Sequence, residues 1–166
     1  MESQKQNGKI LIAYYSKTGS TRTVAEYIRE AIGGDLFEIK PARLYPAEYR
    51  ATTEIAKREK GENARPELAS NVGDIAHYGV IFLGYPNWWS TMPMFFFTFL
   101  ESHDLTGKTI VPFCTNGGGG AGQSFTDIRK LCPGSTILDG LAIRGGSAKG
   151  SGNEINAWLR RIGIKG

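Results

Sequence analysis

Cysteine is scarce in this chain. Cys114 and Cys132 are the only two in 166 residues, too few for a disulfide framework and not at paired metal-ligand spacing. Two reduced, buried thiols are the simple reading, and no metal site is expected. Histidine is equally thin. Neither His77 nor His103 has a cysteine or acid nearby at catalytic or metal-binding spacing. Asp104, Asp127, Asp139 and Glu154 are dispersed, so no carboxylate pair is visible, and the nucleophile elbow GxSxG is absent. No catalytic side chain is therefore nominated. No apolar run approaches the ~18 residues that a membrane helix needs. The run at 95–100 is apolar but far too short. Residues 1–7 are polar, so a signal peptide is not expected and a cytoplasmic protein is. The net charge is +4, yet no positive run is longer than Lys57-Arg58, which argues against nucleic acid as a partner.

Glycine is abundant instead, with 22 residues clustered late in the chain. Clustered glycine signals loops with special backbone angles or a close approach of backbone to ligand. Around those loops the hydrophobic pattern switches regularly between strand and helix. Strands are expected at 9–15, 35–40, 78–85, 108–114 and 135–143. The first is apolar throughout, as a strand covered on both faces should be. Helices are expected at 21–32, 93–102, 123–131 and 152–162, with a polar surface helix at 47–60 inside the longer polar stretch 42–74. Gly33-Gly34 stops the first helix, and Pro93 opens the one at 93–102, where proline is tolerated. The order βαβαβαβαβα, with no repeat and no second domain, predicts one domain over 1–166, after a polar tail at 1–8. Such alternation builds a parallel sheet with helices on both faces, a three-layer α/β/α sandwich. Ligands of these sheets bind beyond the carboxyl ends of the strands, which nominates the loops after strands one, three and four.

Those three loops are also the most unusual in the sequence. Ser16-Lys17-Thr18-Gly19-Ser20-Thr21 joins a strand to a helix and offers four hydroxyls. Unpaired N–H groups at a helix start carry the positive end of the dipole, and with hydroxyls beside them they form a phosphate cup. Simple capping of the helix would need only one hydroxyl. The loop is neither GxxxxGK[ST] nor GxGxxG, which disfavours nucleoside triphosphates and a Rossmann dinucleotide site. Lys17 and Arg22 flank it. Next, Tyr85-Pro86-Asn87-Trp88-Trp89 places two adjacent indoles after a strand. One can pack on the following helix, and at least one can cover a flat heterocycle. Last, Thr115-Asn116-Gly117-Gly118 opens a run of four glycines whose functional groups are backbone N–H donors. They suit an electron-rich ring edge or an oxyanion.

With these three loops in place the chain resembles the flavodoxin family over nearly its whole length. The specific part is Ser-x-Thr-Gly-x-Thr after strand one, here Ser16, Thr18, Gly19 and Thr21. The resemblance implies a flavodoxin-like fold with five parallel strands in the order 2-1-3-4-5. It also implies one FMN, its phosphate on Ser16 to Thr21 and its ring between Tyr85 to Trp89 and Thr115 to Gly118. The implied role is an electron carrier that serves redox partner proteins, as a monomer or weak dimer. The alternative is an FMN-dependent NAD(P)H:quinone or related oxidoreductase, and a basic surface would suit an anionic dinucleotide. Two features depart from the family's habit. Many members are acidic and this chain is basic. Many also carry a glycine beside the flavin, and residues 86–91 contain none. Asn87 is the residue there that tolerates a positive φ.

Overall fold

A computed structural model describes residues 9–165 of the chain. The tail expected at 1–8 lies outside the described residues. Strand β1 (Lys9–Tyr14) pairs in parallel with β2 (Asp35–Glu38) on one side and with β3 (Tyr78–Pro86) on the other. Strand β3 then pairs with β4 (Thr109–Asn116), again in parallel. With β5 (Thr136–Ile137) beyond β4, the order is β2-β1-β3-β4-β5, as the resemblance predicts.

The alternation of side chains along each strand creates two cores. Leu11 and Ala13 of β1, with Ile81, Leu83 and Tyr85 of β3, face one side. There they meet Phe95, Phe96 and Phe99 of α3 (Met94–Glu101) and Ile128 of α4 (Ser124–Leu131). Ile12 and Tyr14, with Phe82 and Phe113, face the other side. They meet Val24, Ala25 and Ile28 of α1 (Ser20–Ile32) and Trp158 and Leu159 of α5 (Gly152–Arg161). The polar helix α2 (Tyr49–Gly61) lies on the first side, beside α3.

The fifth strand differs from expectation. Residues 135–143 do not form one strand: β5 (Thr136–Ile137) and β6 (Leu141–Arg144) pair separately with β4, so the sheet has six strands. The break has a physical cause. The Trp158 indole N–H of α5 donates to the Asp139 carbonyl at 2.9 Å, which turns that carbonyl away from the ladder. At Gly140 the Phe125 ring of α4 occupies the space of a side chain, and a Cβ would lie 2.4 Å from the ring. Strand β4 also runs further than expected, so Thr115 and Asn116 are strand residues rather than loop.

Gly84 marks the tightest point inside the sheet. A Cβ there would lie 2.1 Å from the ring of Phe113, which is itself 1% exposed and has nowhere to move. Overpacking of this kind costs about 1–3 kcal/mol. Gly84→Ala should lower the urea midpoint by that amount, and Phe113→Leu in the same chain should recover part of it. Additive losses in the double variant would refute the contact as the cause.

Candidate functional site

The loop after β1 turns at Gly19, whose φ of 104° is a left-handed conformation that glycine adopts without strain. Three of its four hydroxyls are already engaged. Ser16 Oγ accepts the Gly19 N–H at 3.0 Å and so braces the turn. Ser20 Oγ donates to the Gly145 carbonyl at 3.3 Å. The Thr21 and Thr115 hydroxyls form a buried pair at 2.8 Å, joining the start of α1 to the end of β4. Thr18 alone keeps its hydroxyl without a partner among the described residues. The N–H groups of Ser20, Thr21 and Arg22, in the first turn of α1, also have no acceptor among the described residues, as helix geometry dictates. Of the two flanking cations, Lys17 reaches across to the Pro46 carbonyl at 2.8 Å. Arg22 is turned away to Glu38 at 3.2 Å.

Beyond β3 the two tryptophans part ways. Trp88 packs edge-on against Tyr45 and Tyr15, with ring centroids 5.0 and 5.7 Å away. Trp89 is 46% exposed, and its indole N–H donates to the Thr53 carbonyl of α2 at 2.9 Å. Trp88 and Thr91 bridge each other across a two-residue turn in which Trp89 (φ 55°) and Ser90 (φ 74°) both have positive φ. That is the φ pattern of a type I′ turn, which favours Asn-Gly. Asn87, the residue that tolerates a positive φ, does not adopt one; the positive φ values fall on Trp89 and Ser90, where the tight turn centres. Asn87 instead holds the next loop, accepting nothing from it but donating Nδ2–H to the Gly120 carbonyl at 2.8 Å.

Tyr85 does not join the cavity. Its side chain is fully buried in the first core, and its hydroxyl pairs with Ser124 Oγ at 2.8 Å. Residue alternation on β3 sends it to the core while Pro86 reaches the cavity. The glycine run is also less open than its composition suggests. Asn116 Oδ1 accepts the Gly118 N–H at 2.8 Å, which leaves Gly117 as the residue that lines the cavity.

Lys17, Thr18, Ser20 and Thr21 share a single cavity of about 510 Å³ with Pro86 to Trp89 and with Thr115 to Gly117. Its volume lies within the ~300–1,000 Å³ of small-molecule sites. No acid lines it, and Lys17 is its only charged residue. The far wall was not nominated by the sequence: Ala47 with Tyr49, Thr52, Thr53 and Ala56 of α2, and Gly145 after β6. The uncharged pair Thr52-Thr53 in an otherwise charged helix, and a glycine doublet directly after a strand, were the available signals.

The free N–H groups, the Thr18 hydroxyl and the absence of any acid fit a phosphate. The indoles fit a flat ring about a cavity length away. The family model described as Flavodoxin matches residues 9–162. The chain belongs to the flavodoxin family. Among solved structures, this chain is 37% identical to a candidate flavoprotein from Bacteroides eggerthii, covering 96% of this chain and 100% of that one, with a TM-score of 0.82. A second candidate flavoprotein, from Bacteroides uniformis, is 32% identical over 93% of this chain and 99% of its own, also with a TM-score of 0.82. A Lactobacillus acidophilus flavoprotein solved in complex with FMN is 24% identical over 90% and 99% of the two chains, with a TM-score of 0.71. No curated protein matches the chain. No helix among the described residues is long and apolar enough to cross a membrane.

Burial holds the two tyrosines packed on Trp88, and both thiols, in their neutral forms. Burial, and then the charge of Glu38, pushes the Tyr15 hydroxyl up to about 12. Burial, and then the hydrogen bond it donates to Glu59, raises Tyr45 further. Burial pushes the Cys114 thiol up to about 12 and Cys132 to about 11, so neither is a thiolate at neutral pH. An unfolded tyrosine ionises near 10. A hydroxyl whose folded value is raised keeps its full stabilising effect below pH 10 and loses it as pH climbs to about 12. Denaturant midpoints should therefore begin to fall near pH 9, where unfolded thiols ionise, and fall further between 10 and 12, in step with tyrosinate absorbance. A midpoint that rises in that window would contradict the assignment.

The turn supplies a second expectation. Positive φ costs a non-glycine residue about 1–2 kcal/mol, while glycine loses about 0.5–1 kcal/mol more backbone entropy on folding. Ser90→Gly should leave stability unchanged or raise it by up to about 1 kcal/mol, and Ser90→Val should lower it by at least that much, both read as urea midpoints.

Proposed function

We propose that the cavity binds one FMN and that the protein serves as an electron-transfer flavoprotein. One observation carries the reading: a helix start with free N–H donors and a loop with paired indoles open into the same acid-free cavity. Support also comes from the L. acidophilus relative, whose structure holds FMN. The phosphate would rest on the first-turn N–H groups of α1 and the Thr18 hydroxyl, with Lys17 adding charge nearby. Thr21, braced by Thr115, would fix the direction of that turn. Trp88 and Trp89 would exclude water from the ring, and the Gly117 N–H would donate to its polar edge. FMN, when bound, supplies the redox chemistry, and the protein sets its exposure and electrostatic surroundings.

A carrier is favoured over an NAD(P)H-dependent reductase because the cavity, at about 510 Å³, is of a size for one small ligand and the second cavity lies at the opposite ends of the strands. The chain should purify yellow or turn yellow with added FMN. Thr18→Val should weaken FMN by about tenfold, the worth of one hydrogen bond to a charged group, and leave riboflavin nearly unaffected. Equal loss of both ligands would overturn the phosphate assignment. In an anaerobic cuvette NADPH alone should leave the colour unchanged while dithionite removes it. Rapid bleaching by NADPH would establish the reductase instead.

A further inference from the structure

The described residues leave three large apolar side chains exposed, Leu44, Tyr49 and Trp89, and the last two line the mouth of the cavity. Exposed aromatics with a polar rim mark interaction sites. The rim here has one dominant sign. The Lys57 ammonium lies 5.4 Å from the centre of the Trp89 indole. Lys60 donates to the Trp89 carbonyl. Arg50 falls on the same stripe of α2, seven residues before Lys57 and ten before Lys60. None of the three forms an ion pair among the described residues. Of the two acids in α2, Glu59 accepts the Tyr45 hydroxyl at 2.6 Å, and Glu54 alone stands beside the stripe.

We propose that this face, Tyr49 and Trp89 bordered by Arg50, Lys57 and Lys60, is the docking surface for an acidic electron-transfer protein. The proposal rests on the FMN reading and says where electrons enter and leave. The exposed indole of Trp89 stands between solvent and the cavity, so a redox centre pressed against it would be brought close to the flavin ring. The surrounding cations would draw in a partner of negative charge and orient it, an effect worth ~10- to 1,000-fold in association rate at low salt. The chemistry fits a protein better than the second half of a dinucleotide. A second cavity, of about 370 Å³, lies at the opposite ends of the strands beside Asp35, Asp74 and His77, so it does not extend this mouth.

The test uses the FMN-loaded protein, reduced with dithionite and mixed anaerobically with small oxidants of opposite charge. Each hexacyanoferrate(III) or hexaammineruthenium(III) ion takes one electron and becomes hexacyanoferrate(II) or hexaammineruthenium(II). Two ions are consumed per reduced FMN, which returns to its oxidised state and releases its protons to solvent. The hexacyanoferrate rate should fall at least about threefold as ionic strength rises from about 10 to about 300 mM, because exposed charges are screened over that range. The hexaammineruthenium rate should rise. Arg50→Gln with Lys57→Gln should flatten both dependences. Arg160→Gln with Arg161→Gln, which removes the same charge from α5 across the sheet, should leave them intact. A reduced acidic [2Fe–2S] ferredoxin should pass electrons to the oxidised protein with the same salt dependence and the same loss in the α2 variant. Rates indifferent to salt, a preference for the cationic oxidant, or equal effects of the two double variants would overturn the proposal. FMN retention, read from quenching of its fluorescence, separates that outcome from failure of the FMN reading itself.

Discussion

Parallel pairing of every strand is the constraint on which the rest of this molecule depends. Because β1, β3, β4 and β6 run the same way, the chain segments that follow them emerge at one edge of the sheet. Four loops far apart in sequence therefore become neighbours without any contact having to select them. The Thr21–Thr115 pair, 94 residues apart, shows how close this brings them. From β3 onward the loops are then laced together by Asn87 to Gly120, and by the Gln123 N–H to the Ser90 carbonyl at 2.6 Å. The cavity is thus framed by backbone geometry first and by side-chain chemistry second.

That hierarchy explains what could be read from the sequence. Strand and helix order depends on local apolar periodicity, and the order of elements, the two-sided burial and the three site loops were all legible from it. The position of α2 was not, because its residues are polar and their pattern is that of a solvated surface helix. Its contribution to the site comes from Tyr49, Thr52 and Thr53, which are ordinary residues until Trp89 docks on the Thr53 carbonyl. Tyr85 was misplaced for a related reason. It belongs to the same aromatic run as the tryptophans, and only the alternation of β3 separates its side chain from theirs. The split in the last strand depends on Phe125 and Trp158, both distant in sequence, so no local pattern could reveal it.

Hydroxyl counts in the first loop carry a similar lesson. Four hydroxyls beside a helix start suggest four ligands to a phosphate. In the folded chain Ser16, Ser20 and Thr21 hold the loop itself in shape, and the groups left without a partner among the described residues are the Thr18 hydroxyl and the first-turn N–H donors. A loop rich in serine and threonine can thus owe its composition to its own rigidity as much as to its ligand. The same economy appears in the charge. The excess of +4 is spread over the chain, yet inside the cavity the charge reduces to Lys17, and outside it Arg50, Lys57 and Lys60 share one stripe of α2.

The broken last strand has a consequence for how these molecules behave in a crowd. A long, straight outer strand offers an unfinished ladder to any neighbouring chain, and that is a route to fibrils. Here one border of the sheet is interrupted between two residues of β5 and four of β6, and the opposite border, β2, is four residues long. Neither side presents an uninterrupted template on which a second sheet could grow. The residues that cut the strand, Gly140 under Phe125 and Asp139 held by Trp158, thereby shorten the ladder that this border offers to another chain.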